Sequence, residues 1–388
     1  MSTLKERDAA RIAGTYKRFP LEIVSGAGSL VYDESGREYI DLSTGIAVNS
    51  FGVADEVWRK AVIEQIGRVQ HTSNLYYTEP CVRLAEMLCE RTGMDKVFFS
   101  NSGAEANECA IKVARKWASE RKGIAEPVIA TLENSFHGRT ITTLAATGQD
   151  HYHELFQPLT PGFVHIAPED ETALAALAGR DDLAAVMIEC VQGEGGVVAL
   201  SEGYVRALER FVAENDVLLI IDEVQTGNGR TGDLYAFMGY GLEPDIVSTA
   251  KGLAGGLPLG ATLLAERVSD VLGFGDHGST FGGNPVSCAA AVSVLERIDD
   301  ALLAEVREKA ALIRSELAGA DGIKGVSGRG LMVGIETVRP APEVIAACME
   351  KGVLVIAAKD RVRLLPALNI PVELLIRALD VIKECCAA

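Results

Sequence analysis

An acid and an amine carry the most chemical meaning in this sequence. Asp222 closes the run Val217 to Ile221, five apolar residues with no polar face, and Lys251 follows a second short stretch, Asp245 to Thr249. A run apolar on both faces is the pattern of a strand buried in a parallel sheet, and its carboxyl end is where open α/β sheets bind ligands. A carboxylate there is expensive unless a cation meets it. Pyridoxal phosphate needs both groups. Its ring nitrogen must stay protonated to draw electrons from a carbanion, which a buried carboxylate enforces, and its aldehyde is held by a lysine as a Schiff base. Taken singly, each residue has an ordinary reading, because most lysines are solvated and a strand-end aspartate often starts a turn. Their company has to decide.

Four other stretches supply that company. NSGAEANE, 101 to 108, leaves the expected strand Lys96 to Ser100 and enters a helix. Its small residues Ser102, Gly103 and Ala104 bring free N–H groups and the positive end of a helix dipole together, as a phosphate cradle does, although Ser-Gly is also common capping. NSFHGRT, 134 to 140, follows the strand Val128 to Leu132 and offers Phe136 to stack on a flat ring and Arg139 to grip a carboxylate. His137 reads as a stacking residue or as a local one, and neither it nor His151 with His153 has a metal partner. VQGEGG, 191 to 196, brings Glu189 and Glu194 toward the same rim, Glu194 being suited to an arginine that must at times be neutralised. GSTFGGNP, 278 to 285, is a glycine-rich loop whose Ser279 and Thr280 give a second chance to bind phosphate.

The elements that must position these residues alternate. Strands at Phe163 to Ile166 and Ala184 to Ile188, helices at 170 to 178 and 203 to 215, and a further strand from Leu259 to Ala265 give an α/β fold with a mostly parallel sheet. From Pro285 the texture changes to helices and more charge, with Arg363 on a strand from Val362 to Leu365. Three parts are expected: an N-terminal segment 1–48, a large cofactor-binding domain 49–284, and a smaller α/β domain 285–388. With 54 acidic against 37 basic residues the formal net charge is −17, so nucleic acid would be repelled and small anionic substrates need individually placed arginines. Eight cysteines without a CxxC pair suggest reduced thiols in the cytoplasm, and no charge-free apolar run reaches membrane-spanning length.

Rival readings are weaker. A strand ending in Asp-Glu resembles a Walker B element, but no Gly-Lys dipeptide exists to supply the matching phosphate loop. GNGRTG, 227 to 232, fits the GxGxxG of an NAD-dependent oxidoreductase, yet it begins five residues past the strand end and would leave Lys251 idle. A non-catalytic metabolite-binding protein is the remaining class.

Assembled in order, GIAVN, HTSNLYYTEP, NSGAEANE, FHGRT, VQGEGG, IIDEVQTGNGRTG, AKGLAGGLPLGA, STFGGNP and VRLLP resemble the class III aminotransferases of the fold type I pyridoxal phosphate enzymes, nearest the acylornithine branch. The resemblance implies roles for named residues. Lys251 bears the cofactor and shuttles the proton. Asp222 pairs with the pyridine nitrogen, Glu223 and Gln225 lie at the cofactor with Gln225 on the ring hydroxyl, and Val224 and Phe136 cover its faces. Ser102, Gly103 and Ala104 take the phosphate, with Thr280 arriving from the partner subunit of a homodimer; Glu189 supports the cofactor side. Arg139 and Arg363 hold substrate carboxylates, Ser279 lies beside the substrate, and Glu194 pairs Arg363 when its carboxylate is absent. The implied reaction passes the terminal amine of N2-acetylornithine to 2-oxoglutarate, with succinylornithine, succinyl-diaminopimelate, ornithine and 4-aminobutyrate as alternative donors. The sequence departs from relatives at SFGVADE, 50 to 56, at Cys190 and at Ala367, which leaves loop geometry and donor preference open.

Overall fold

Seven strands form the central sheet of the computed structural model, which describes residues 3–387. In spatial order they are Lys96–Ser100, Gly260–Leu264, Ile246–Thr249, Leu218–Asp222, Leu183–Ile188, Val128–Leu132 and Phe163–Ile166. Gly260–Leu264 runs antiparallel to both its neighbours, and the other strand pairs are parallel. Register then aligns the strand ends: Asp222 stands beside Ser248, Ile221 beside Ile188, Thr131 beside Met187, and Ser100 and Thr249 beside Gly260 and Ala261. The loops after Ser100, Leu132, Ile188, Asp222 and Thr249 therefore leave one edge of the sheet, the carboxyl edge where such folds bind ligands.

The central strand shows why its sequence has no polar face. Leu218 and Ile220 pack into one apolar cluster with the helix Gly103–Lys122, while Leu219 and Ile221 pack into the larger cluster on the opposite face. Alternate side chains point to opposite faces, so both sets are buried, each aliphatic contributing roughly 1.5–3 kcal/mol. The helix Gly103–Lys122 starts at a Ser102 N-cap, ends on Gly123 in the left-handed region, and lays Ala106, Ala110, Val113 and Ala114 against the sheet. Small side chains bring its N-terminus close to the strand ends.

Two smaller four-stranded sheets flank this layer. The N-terminal hairpin Leu30–Asp33 with Glu38–Asp41 is extended by Ile23–Ala27 on one side and, parallel, by the distant Val353–Leu354 on the other. The second sheet, Ile323–Arg329, Met332–Thr337, Arg361–Leu364 and Ile356–Ala358, is antiparallel and carries Arg363 opposite Gly334. The helix Pro285–Leu295 packs on the helices Glu56–Ile66 and Glu79–Thr92. Among the described residues no helix is long and apolar enough to cross a membrane.

Candidate active site

The aligned strand ends enclose a cavity of about 490 Å³ lined by both Asp222 and Lys251. Asp222 is buried and held from three directions. Its Oδ2 accepts from His137 Nδ1 at 2.8 Å and from Asn107 Nδ2 at 2.8 Å, and its Oδ1 accepts from Val224 N at 3.0 Å. A carboxylate only accepts, so His137 must carry a proton on Nδ1. With room for about four donors, the carboxylate keeps one position open, on Oδ1. Asn107 also donates to His137 O at 2.8 Å, which locks the acid's two side-chain partners to each other.

Lys251 opens a short 3-10 turn, Lys251–Ala254, with φ at 45°. A non-glycine residue in that region costs about 1–3 kcal/mol and persists only where its surroundings impose it. Burial pushes the Lys251 ammonium down from its usual range, against the pull of Glu194 and Asp222.

The helix end supplies the anion seat. Ser102 Oγ accepts from Glu105 N at 3.2 Å and the Glu105 carboxylate turns back onto Asn101 N at 2.7 Å, while the first helical N–H groups, Gly103 and Ala104, have no intrahelical partner. Position 103 suits glycine, since a Cβ there would lie 2.6 Å from Val224 Cγ1 and force that side chain to shift. Phe136 and Val224 both line the cavity. Glu189 braces the wall behind Phe136: its Oε1 accepts from Phe136 N at 2.8 Å and its Oε2 from Gly193 N at 3.1 Å. Burial, with Asp222 nearby, pushes its carboxyl up to about 7 despite His137 and those two donors.

Two arginines approach the other end. Arg363 is buried, and its Nη1 donates to Glu194 Oε1 at 2.6 Å and to Gln225 Oε1 at 3.0 Å. Burial alone would raise the Glu194 carboxyl, but the charge and hydrogen bond of Arg363, with Lys251 and Gln225, hold it below its usual value. Arg139 is exposed at the cavity wall, and among the described residues its guanidinium meets no carboxylate, only the rings of Phe136 and Tyr152. Glu194 lines an adjoining polar cavity of about 650 Å³ that Tyr152 and Lys359 also border.

Not every expected residue faces this cavity. Glu223 turns away: its carboxylate accepts from Phe237 N at 2.7 Å and from Thr226 Oγ1, and its own N–H donates to Ser248 O. Its side chain has a structural role, because the residue after Asp222 points to the other face of the sheet end. Ser279 and the exposed Thr280 lie outside the lining; Ser279 Oγ accepts from Asn101 Nδ2 at 3.1 Å and from Gly282 N at 2.9 Å. GNGRTG leads into no helix that could seat a dinucleotide. Its buried Arg230 donates to the carbonyls of Leu331 and Pro366 and ties the loop to the C-terminal part. Asn107 and Tyr152 carry no sequence signal of their own; the clue to Asn107 is a polar residue on the buried face of an otherwise small-residue helix.

The arrangement fits a flat, phosphorylated pyridine. One lone-pair site remains on a fixed carboxylate, a half-buried amine lines the same cavity, a glycine opens the cradle at close quarters with Val224, and two apolar walls bound the space.

Known proteins match along nearly the whole chain. A family model described as aminotransferase class-III matches residues 12–386. Over 383 residues the chain is 49% identical to an acetylornithine aminotransferase of Haemophilus ducreyi, covering 98% of each. It is similar to the solved N-acetylornithine aminotransferase of Stenotrophomonas maltophilia, with a TM-score of 0.84 at 35% identity over 96% of this chain and 97% of that one. An ornithine aminotransferase of Toxoplasma gondii, with partial occupancy of PLP at its active site, gives a TM-score of 0.94 at 34% identity over 99% and 93%.

Proposed function

The chain belongs to the class III aminotransferases, and from that premise we propose that it transfers the terminal amine of N2-acetylornithine to 2-oxoglutarate, giving N-acetylglutamate 5-semialdehyde and glutamate. Pyridoxal phosphate is the cofactor we assign. When bound, it supplies an electron sink for the carbanion formed at the amine-bearing carbon. Asp222 would accept the proton of the ring nitrogen through Oδ1, Gly103 and Ala104 with Ser102 would take the phosphate, Phe136 and Val224 would cover the ring, Gln225 would meet its hydroxyl, and Lys251 would be the amine that anchors it.

Lys251 does the proton work. Burial makes its amine easier to leave uncharged, so Nζ takes the proton from the donor's terminal carbon and keeps it from bulk water. His137 and Asn107 keep the Asp222 charge in place while that happens. Arg139 grips the donor's α-carboxylate with its planar fork. Glu194 neutralises Arg363 while the donor's uncharged acyl amide lies nearby, then yields to the second carboxylate of 2-oxoglutarate.

The observation that carries this reading is the unequal state of two arginines at one site, one paired and one unpaired. It suits a pair of substrates bearing one and two carboxylates in turn. A donor panel with 2-oxoglutarate, scoring glutamate, tests it: acetylornithine should lead, and ornithine or 4-aminobutyrate clearly ahead of it would overturn the donor assignment.

We also propose a homodimer with Thr280 serving the partner's phosphate site. Leu75, Tyr76, Tyr77, Phe274 and Phe281 are exposed on and near the segments that carry Asn74 and Thr280, and clustered large apolar side chains of this kind mark interaction surfaces. Asn74 Nδ2 ties that surface to the loop through the carbonyls of Ser279 and Gly282. Grouping the segment 1–48 with the C-terminal part gains support from the pairing of Val353–Leu354 with Glu38–Asp41, while the packing of Pro285–Leu295 favours a second boundary just before Asp300 in place of 284. Eight free cysteines support the cytoplasm as its location.

A further inference from the structure

Arg139 presents an exposed guanidinium with no acceptor among the described residues, yet two rings fix its place. Its Cζ lies 4.7 Å from the Tyr152 ring centroid and 5.7 Å from that of Phe136, and the two rings meet edge to face at 5.9 Å. A guanidinium stacked on a ring keeps its edge N–H groups free to fork onto a carboxylate.

The half-buried Tyr152 is itself anchored to the segment that carries Arg139. It ends the turn Asp150–Tyr152, where its N–H donates to Gln149 O at 3.1 Å. Gln149 Nε2 donates to Ser135 O at 2.9 Å, Gly148 N to Ser135 Oγ at 3.0 Å, and Asn134 N to Gly148 O at 2.6 Å. The ring and the arginine thus rest on two strands of loop stitched together just upstream of Phe136.

We propose that Tyr152 is a positioning residue for substrate recognition: its ring holds the Arg139 fork at the cavity wall before the substrate's carboxylate arrives. This rests on the reading of Arg139 as the carboxylate grip. Without the ring, a long exposed side chain must be ordered at each binding event, and carboxylate-bearing donors lose affinity while the chemistry at the terminal amine is untouched. Tyr152 also borders the adjoining cavity that Glu194 lines.

The test compares holoenzyme of the wild type, Tyr152→Phe and Tyr152→Ala in steady-state turnover with N2-acetylornithine and with N-acetylputrescine, the same amine without its carboxylate. Tyr152→Ala should raise KM for acetylornithine about tenfold, ~1.4 kcal/mol, with kcat kept and with kcat/KM for N-acetylputrescine unchanged. Tyr152→Phe, which retains the ring, should recover most of that loss. An equal fall for both amines would show a general structural role and overturn the proposal. So would a Tyr152→Phe variant as poor as the alanine, since the hydroxyl would then be what matters. Failure of the donor assignment is visible in the wild type alone, and the comparison is then made on the preferred amino acid and its decarboxylated counterpart.

Discussion

Asp222 and Arg139 border one cavity and are held in opposite ways. The acid is buried, with three donors on its two oxygens, and nothing about its surroundings has to change between the two halves of the reaction. The arginine is exposed, bonded to no acceptor among the described residues, and kept in place by ring faces that leave its donors free. Arg363 lies between these extremes, buried like the acid but with an exchangeable partner in Glu194. Groups that serve every substrate are fixed by hydrogen bonds; groups that must change partners are fixed by packing or by a bond that a substrate can replace.

Changes at the cofactor end should therefore be large and blind to substrate. Lys251→Ala should lower turnover at least about 1,000-fold for every donor, since the general base is lost, while far-UV circular dichroism stays native. Residual activity within tenfold of the wild type would break the comparison at its root. Asp222→Asn should cut kcat about 100-fold or more, because the pre-set charge on the ring nitrogen is gone, and by the same factor for donor and acceptor. A loss confined to one substrate would place Asp222 among the recognition groups.

Changes at the substrate end should be smaller and selective. Arg139→Lys should raise KM for acetylornithine and 2-oxoglutarate about 10-fold to 100-fold, because an ammonium cannot make the planar fork, with the bound-cofactor absorbance retained. Glu194→Gln should lower KM for 2-oxoglutarate about fivefold, ~1 kcal/mol for a pair no longer broken on binding, without helping the donor; a matching gain for acetylornithine would count against the exchange.

The smallest effect concerns the other carboxylate in the Asp-Glu pair. Burial pushes the Glu223 carboxyl up to about 7 from 4.5, so the folded state favours its neutral form. The stability it contributes is full below pH 4.5 and is lost as pH rises toward 7. Glu223→Gln should gain about 1–3 °C in Tm over the wild type between pH 5 and pH 8, read by thermal melts at both values. A constant difference would mean that Glu223 ionises as an exposed carboxyl does.

What could be read from the chain alone followed from local pattern. The apolar run before Asp222, the strand before Lys251 and the small residues after Ser100 each announce an element and its end, and register then brings those ends to one edge. Glu223 was grouped with its neighbour because adjacency in sequence says nothing about which face a side chain takes at a strand end. Asn107 and His137 find Asp222 across 115 and 85 positions, contacts that no local pattern encodes. Tyr152 gives no local signal for the same reason, its value lying in loop contacts that register alone does not fix.

The backbone at Lys251 carries one more lesson. Its φ of 45° is comfortable for glycine and awkward for every side chain with a Cβ. Alanine at 251 removes the amine but keeps the awkward torsion, whereas glycine removes both, so the glycine protein should be the sturdier of two equally inert ones. The amine thus stands at a spot where the polypeptide would more comfortably carry no side chain.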